Sequence, residues 1–189
     1  MSAVEVLAAA AELEHFFRAQ GWRFCFIGGI AAQRWSTPRF TQDVDATLFT
    51  GWGSEASFVD PLLEHFPARE PDARKFALVN RTLKARTPAG IQLDIMLGAL
   101  PFESRAIERA TVWRAGPTFR LTTCSAEDLI IHKVFANRKR DWQDVEDILK
   151  RQKGKLNLKI VREELPELLS VKDDVESLTE LEKLIKKFA

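Results

Sequence analysis

The chain has 189 residues, 46% of them hydrophobic, which is enough for one sizeable core with a small helical appendage but not for two full domains. Lys and Arg number 28 against 27 Asp and Glu, so the net charge of +1 creates no chain-wide field for nucleic acid or anionic membranes, and any polyanion must be met locally. Cys25 and Cys124 lie in apolar, strand-like stretches with a spacing that fits neither a disulfide framework nor a zinc cluster, and no run approaches the roughly 20 apolar residues of a membrane span.

Taken in chain order, residues 1–17 combine Glu5, Glu12 and Glu14 with an alanine-rich pattern, which predicts an amphipathic helix and not a secretion signal. A reducing cytoplasm with no membrane partner is the expected setting. Gly21 ends the helical pattern, and Phe24-Cys25-Phe26-Ile27 reads as a short buried strand that stops at Gly28-Gly29 before a short helix over 30–35. Beyond Pro38, residues 41–49 alternate as a second strand, with Val44, Ala46 and Leu48 on one face and Asp43, Asp45 and Thr47 on the other. A helix is expected over 55–65, then strands over 76–86 and 91–97 joined by Thr87-Pro88-Ala89-Gly90, then a hairpin over 111–124 turning at Gly116-Pro117.

Strand signals end at Ser125, whose spacing to Asp128 predicts a cap and a helix to about residue 137. Asp141 and Asp144 repeat that cap spacing ahead of a stripe of Trp142, Val145, Ile148 and Leu149. A basic stretch with a glycine over 150–157 reads as a linker, and charged, leucine-bearing helices follow over 158–189 with an interruption expected near Pro166. The organisation is therefore an α/β (α+β) core over 1–124, with a short mixed sheet flanked by helices, and a helical region over 125–189. There is no internal repeat.

The candidate chemistry lies on the strands. Asp43 and Asp45, one residue apart on a strand, point to the same side and can approach one hard cation or a close pair. Asp94 stands in Ile91-Gln92-Leu93-Asp94-Ile95-Met96-Leu97 on the face opposite the apolar odd-numbered positions. Three carboxylates on one sheet would raise one another's pKa unless a metal neutralised them, so a magnesium site is the expected explanation. A strand that ends in Gly28-Gly29 and opens a helix offers bare N–H groups to phosphate. His15, His65 and His132 lack ligand spacing. Trp35 and Trp52 flank the acidic strand, where core packing is favoured over nucleotide stacking.

Phe26-Ile27-Gly28-Gly29-Ile30-Ala31-Ala32, followed by Pro38-Arg39-Phe40-Thr41-Gln42-Asp43-Val44-Asp45, resembles the pattern of polymerase-beta-like nucleotidyltransferases. Lys133, four residues, Arg138, one residue, Arg140-Asp141, two residues and Asp144-Val145 resembles the helical motif of the AbiEii-type branch, known as toxins of toxin–antitoxin and abortive-infection systems. The motifs span about residues 24–149; Arg140 stands where that branch commonly has lysine and Val145 where it often has leucine. The resemblance implies a nucleotidyltransferase fold, with the helical region completing a nucleotide cleft. It implies transfer of a nucleoside monophosphate from a triphosphate such as ATP to an acceptor hydroxyl on tRNA or other RNA, protein or a small molecule. Two Mg2+ ions, replaceable by Mn2+, would sit on Asp43, Asp45 and Asp94, with Gly28, Gly29, Arg39, Thr41, Lys133 and Arg138 as nucleotide contacts. A toxin role would also imply a cognate antitoxin as partner. The competing expectation is a non-catalytic nucleotide- or partner-binding domain that keeps the fold. Arg39 as a solvated loop residue, Lys133 as a snorkelling lysine, and Asp141 and Asp144 as helix caps are the non-catalytic alternatives.

Overall fold

The computed structural model describes residues 2–189. By packing, the chain divides into two compact units, Met1–Ile30 with Phe40–Cys124, and Ala31–Arg39 with Ser125–Ala189. The segment 31–39 thus packs with the C-terminal helices, although it lies between the first two strands in sequence.

The first unit is built on a six-stranded mixed sheet of β1 (Phe24–Phe26), β2 (Asp43–Phe49), β3 (Thr82–Arg86), β4 (Gln92–Gly98), β5 (Thr111–Ala115) and β6 (Phe119–Thr123), in the spatial order β3-β4-β2-β1-β6-β5. β2 runs parallel to β4, and β1 parallel to β6, while the other neighbours are antiparallel. The alternation read from the sequence sets the two faces. Val44, Ala46, Leu48, Leu83, Ala85, Leu93, Ile95 and Leu97 join one buried cluster with α1 (Ala3–Ala19), α3 (Ala56–His65) and α4 (Ala73–Asn80).

A capping box at Ser2 and Glu5 starts α1, and Val6, Ala9, Ala10, Leu13 and Phe17 form its buried face. Buried Glu14 ties it to β6, accepting from the Thr122 backbone N–H at 2.8 Å and the Thr122 hydroxyl at 2.9 Å, with Arg18 at 2.8 Å as its counter-ion. Cys25 and Cys124 are buried free thiols. No helix among the described residues is long and apolar enough to cross a membrane.

Three features of this unit depart from the sequence expectation. The stretch 76–86 is not one strand: α4 occupies 73–80, ended by Arg81 in the left-handed region (φ 52°), and only then does β3 begin. Ala73 and Ala77, four residues apart, bury one helical face there, so packing overrides the local strand pattern. A helix absent from the sequence expectation, α5 (Pro101–Arg109), follows β4 with proline in its first turn and Glu103 accepting from the N–H groups of Ala99 and Leu100 at 2.8 Å each. Trp52 is 68% exposed on a Gly-Trp-Gly loop, with Arg81 over its ring at 4.3 Å, so it is not a core residue.

The second unit is helical, with the end of α2 (Gly28–Trp35), α6 (Ala126–Ala136), α7 (Lys139–Arg151), α8 (Leu158–Ser170) and α9 (Glu176–Phe188). Ser125 caps α6 by accepting from the Asp128 N–H at 3.0 Å. The expected break at Pro166 does not occur. α8 continues through it to Ser170, burying Val161, Leu165, Leu168 and Leu169, and the chain turns at 171–175 with Asp173 in the left-handed region. The apolar packing holds the helix across the hydrogen bond that proline removes.

His132 on α6 is partly exposed, but its Nε2 is out of water, and burial pushes its pKa down to about 4, with Asp128 opposing and Lys133 assisting the shift. An unfolded chain protonates this imidazole near pH 6.5. Between pH 6.5 and about 4 the unfolded state therefore binds a proton that the folded state excludes, so stability falls as pH falls through that window. Chemical denaturation of wild type and His132→Gln at pH 7.5 and 4.5 should show a loss of about 1–3 kcal/mol with acid that the variant lacks.

Candidate active site

Parallel pairing of β2 with β4 sets Asp45 directly opposite Asp94, and Asp43 opposite Gln92. All three aspartates lie on the face away from the buried cluster, each partly exposed. Adjacent strands lie about 4.8 Å apart, so carboxylates in this register repel unless each has its own donor. Each has one. The Thr41 hydroxyl donates to Asp43 Oδ1 at 2.8 Å, and the Gly29 N–H lies 3.4 Å from Asp45 Oδ2. Arg69 Nη2 stands 2.8 Å from Asp94 Oδ1.

The double glycine is explained by the same crowding. A Cβ on Gly28 would sit 2.6 Å from Asp45 Cγ, and one on Gly29 would sit 2.7 Å from Thr41 Cβ. Gly28 also has φ 52°, a conformation that L side chains rarely adopt. In the structure the space that these glycines leave is taken by protein side chains, Asp45 and Thr41. The same glycines open α2, so the free N–H groups of its first turn begin beside Asp45.

Among the described residues, no three His, Cys, Asp or Glu side chains converge closely enough to hold a metal ion. The strand register brings Asp43, Asp45 and Asp94 to one face, while their carboxylates are turned onto Thr41, Gly29 and Arg69. The donor set of three carboxylates suits a hard divalent cation, and rotation of the side chains from their present partners is what such an ion requires.

The remaining expected site residues belong to the second unit, where they form a buried ionic cluster. Lys133 is 5% exposed, and its ammonium donates to Asp141 Oδ1 at 2.9 Å and lies 2.8 Å from Asp144 Oδ2. Arg39 grips Asp144 with both arms of its guanidinium, Nε at 3.0 Å and Nη2 at 2.8 Å. Arg138 Nε donates to Asp141 Oδ2 at 2.6 Å, while its own side chain stays largely exposed. Arg39 is thus neither a solvated loop residue nor, here, turned to a ligand, and Lys133 does not snorkel.

Burial alone would raise the Asp141 carboxyl, but hydrogen bonds from Arg138 and Lys133 and their charges outweigh it and hold it below the usual carboxylate range. Asp144 is held low in the same way, against burial, by Arg39 and Lys133. Lys133, Arg39 and Arg138 thus share the two carboxylates of Asp141 and Asp144. Asp141 does reach back to its own helix start, accepting from the Arg138 N–H at 3.4 Å, but both aspartates are chiefly partners of Lys133.

Arg69 was not among the expected residues. Its signal is not local, because the contact reaches across β3. Asp141 and Asp144 did carry a signal: with Val145, Ile148 and Leu149 they form the buried stripe of α7, so two acids sit at core positions.

A family model described as nucleotidyl transferase AbiEii toxin, type IV TA system, matches residues 13–187. No curated protein matches the chain. Among solved structures, an antigenic nucleotidyltransferase-like protein from Paracoccidioides brasiliensis is similar at 17% identity and a TM-score of 0.53, over 94% of this chain and 93% of that one. The antibiotic-resistance factor ANT(2'')-Ia is similar at 16% identity and a TM-score of 0.42, over 98% and 88% of the two chains. A CCA-adding enzyme in complex with CTP is similar at 13% identity and a TM-score of 0.43, over 97% of this chain and 51% of that one.

Two substitutions test the local geometry. Gly28→Ala meets the Asp45 carboxylate in an unfavourable backbone region and should lower stability by about 1–3 kcal/mol in thermal or denaturant melts. Lys133→Met leaves two buried carboxylates without their shared cation and should cost about 3 kcal/mol, whereas Lys139→Met, at an exposed position, should cost under about 0.5 kcal/mol.

Proposed function

The chain belongs to the AbiEii nucleotidyltransferase toxin family, and on that premise we propose that it transfers a nucleoside monophosphate from a nucleoside triphosphate to an acceptor hydroxyl through Asp43, Asp45 and Asp94. One observation carries this reading. Asp45 and Asp94 face each other across parallel strands, with Asp43 two residues away on the same face, beside a glycine-opened helix start. Stability alone favours apolar or mixed-charge pairs at such positions, so three acids there indicate a ligand of opposite charge.

Divalent cations, Mg2+ or Mn2+, held by these carboxylates would neutralise the triphosphate and acidify the acceptor hydroxyl. The chain's own residues do the rest. Backbone N–H groups at the start of α2 receive phosphate oxygens. Asp43 and Asp45 would hold the cations that set the α-phosphate for in-line attack, and Asp94, on the neighbouring strand, would take up the acceptor's proton. The acceptor oxygen forms the new bond to the α-phosphorus as the bond to pyrophosphate breaks. The acceptor is an RNA, a protein or a small molecule, and the toxin family supports a cognate antitoxin as partner.

The test is label transfer. Purified protein is incubated with each α-labelled triphosphate, Mg2+ and cell RNA, protein or metabolite fractions. The expected outcome is one labelled product class, with Asp43→Asn, Asp45→Asn and Asp94→Asn slower by roughly 10²–10⁴-fold, and growth arrest on expression that Asp45→Asn relieves. No label under any condition, together with nucleotide binding that ignores Mg2+, would instead establish a non-catalytic nucleotide-binding domain.

A further inference from the structure

We propose that the open edge of the sheet at β5 docks an extended, acidic segment of a partner protein, which adds as a further strand and sets its carboxylates against Arg114 and Arg120. The fold treats the two edges of the sheet differently. Beyond β3, residues 67–69 form a strap that covers the edge: the Arg86 N–H donates to the Pro67 carbonyl at 3.0 Å, Ala68 bridges to Ala85, and the Arg69 N–H donates to the Lys84 carbonyl at 3.1 Å. Beyond β5 no strand follows among the described residues. Alternate backbone N–H and C=O groups of an outermost strand point away from its neighbour, so β5 offers a further strand its donors and acceptors.

The side chains of this edge set the chemistry of the occupant. In the β5–β6 register Trp113 pairs with Leu121 and Ala115 with Phe119, and these residues pack into the buried cluster. On the opposite face Val112 pairs with Thr122, and Arg114 stands directly against Arg120. Val112 is 54% exposed, and both arginines are exposed. Like charges set directly opposite each other on an antiparallel pair destabilise it. Neither arginine has a hydrogen bond, ion pair or ring contact among the described residues. Glu14, which reaches Thr122 beside them, is itself paired with Arg18.

One charge on an edge strand is enough to repel another copy of the same edge, and Arg114 supplies it. That role does not extend to Arg120, which lies on the inner strand β6 and adds only repulsion. Two copies joined edge to edge would bring their arginine pairs together, so a second copy of this chain does not fit. A polynucleotide would meet the arginines but leave Val112 and the N–H and C=O groups of the edge unmatched. An acidic polypeptide strand matches all of them. Its side chains two positions apart share a face, so an apolar residue falls against Val112 and an acid against Arg114, while main-chain hydrogen bonds hold the register. Arg120, one strand further in, adds to the attraction.

Amide hydrogen exchange on the full-length protein, with and without a soluble synthetic peptide of Thr-Val-Thr-Glu repeats, tests the proposal. Exchange at residues 112–115 should slow when the peptide is present. Fluorescence anisotropy of the labelled peptide should show an affinity that falls about three- to tenfold in Arg114→Gln/Arg120→Gln, the size of one or two partly screened ion pairs. For wild type, the same peptide with lysine in place of glutamate should bind about tenfold more weakly or not at all, a comparison that depends on no variant folding. Arg114→Glu/Arg120→Glu should invert that preference. Equal protection of 112–115 by both peptides, or protection by neither, would overturn the proposal. Tighter, arginine-dependent binding of single-stranded polyuridylate would replace it with a nucleic-acid contact, and protection that grows with protein concentration in the absence of peptide would replace it with self-pairing.

Discussion

The parallel register of β2 with β4 is the constraint on which the rest of the acidic face depends. Seven residue pairs in step place Asp45 against Asp94, and a slip of either strand by one residue would send its carboxylate into the buried cluster behind the sheet. The register is therefore fixed by the apolar side, by Val44, Ala46 and Leu48 against Leu93, Ile95 and Leu97, and the repulsion on the other side is a consequence that the surroundings must absorb. Thr41, the Gly29 N–H and Arg69 do so one carboxylate at a time. Each of these donors comes from outside the two strands: from the loop before β2, the start of α2 and residue 69 beside β3.

The two charged clusters differ in kind. In the second unit, Lys133 is shared by Asp141 and Asp144, and Arg39 and Arg138 close the remaining carboxylate oxygens with short hydrogen bonds. Buried charges that satisfy one another in this way are costly to separate, and the depressed carboxyl pKa values express that cohesion. In the first unit a hydroxyl meets Asp43, a long backbone contact meets Asp45 and a misaligned guanidinium meets Asp94. The buried cluster of the second unit is a scaffold of charge, whereas the carboxylates of the first unit stand partly exposed on the face of the sheet.

Much of this was legible in the sequence wherever the determining interaction is periodic. Alternation along 41–49 and 91–97 identified both strands, both faces and all three aspartates, and the Ser125–Asp128 spacing marked the start of α6. What was not legible is decided by contacts distant in sequence. α4 was hidden because Phe76, Leu78 and Val79 favour strand locally, while burial of Ala73 and Ala77 settles the matter. Pro166 failed as a breaker because α8 packs on both sides of it. Arg39 looked like a loop residue because its partner, Asp144, lies 105 positions away, and Arg69 is visible only once a strap is laid along β3.

The glycines show how one feature can serve two ends. From sequence, Gly28-Gly29 reads as a place for phosphate to approach bare backbone; in the structure the missing Cβ atoms make room for Asp45 and Thr41. Under the proposed function these are successive uses of one space. The Gly29 N–H that faces Asp45 is among the first free donors of α2, the donors that an anion at the helix start would take. Under that reading a phosphate oxygen arriving there would compete with Asp45 for that N–H, a long contact of 3.4 Å. A side chain on Gly28 would displace Asp45, and one on Gly29 would displace Thr41, the hydroxyl partner of Asp43, which is why the pair of glycines and the pair of aspartates belong to one device and not to two.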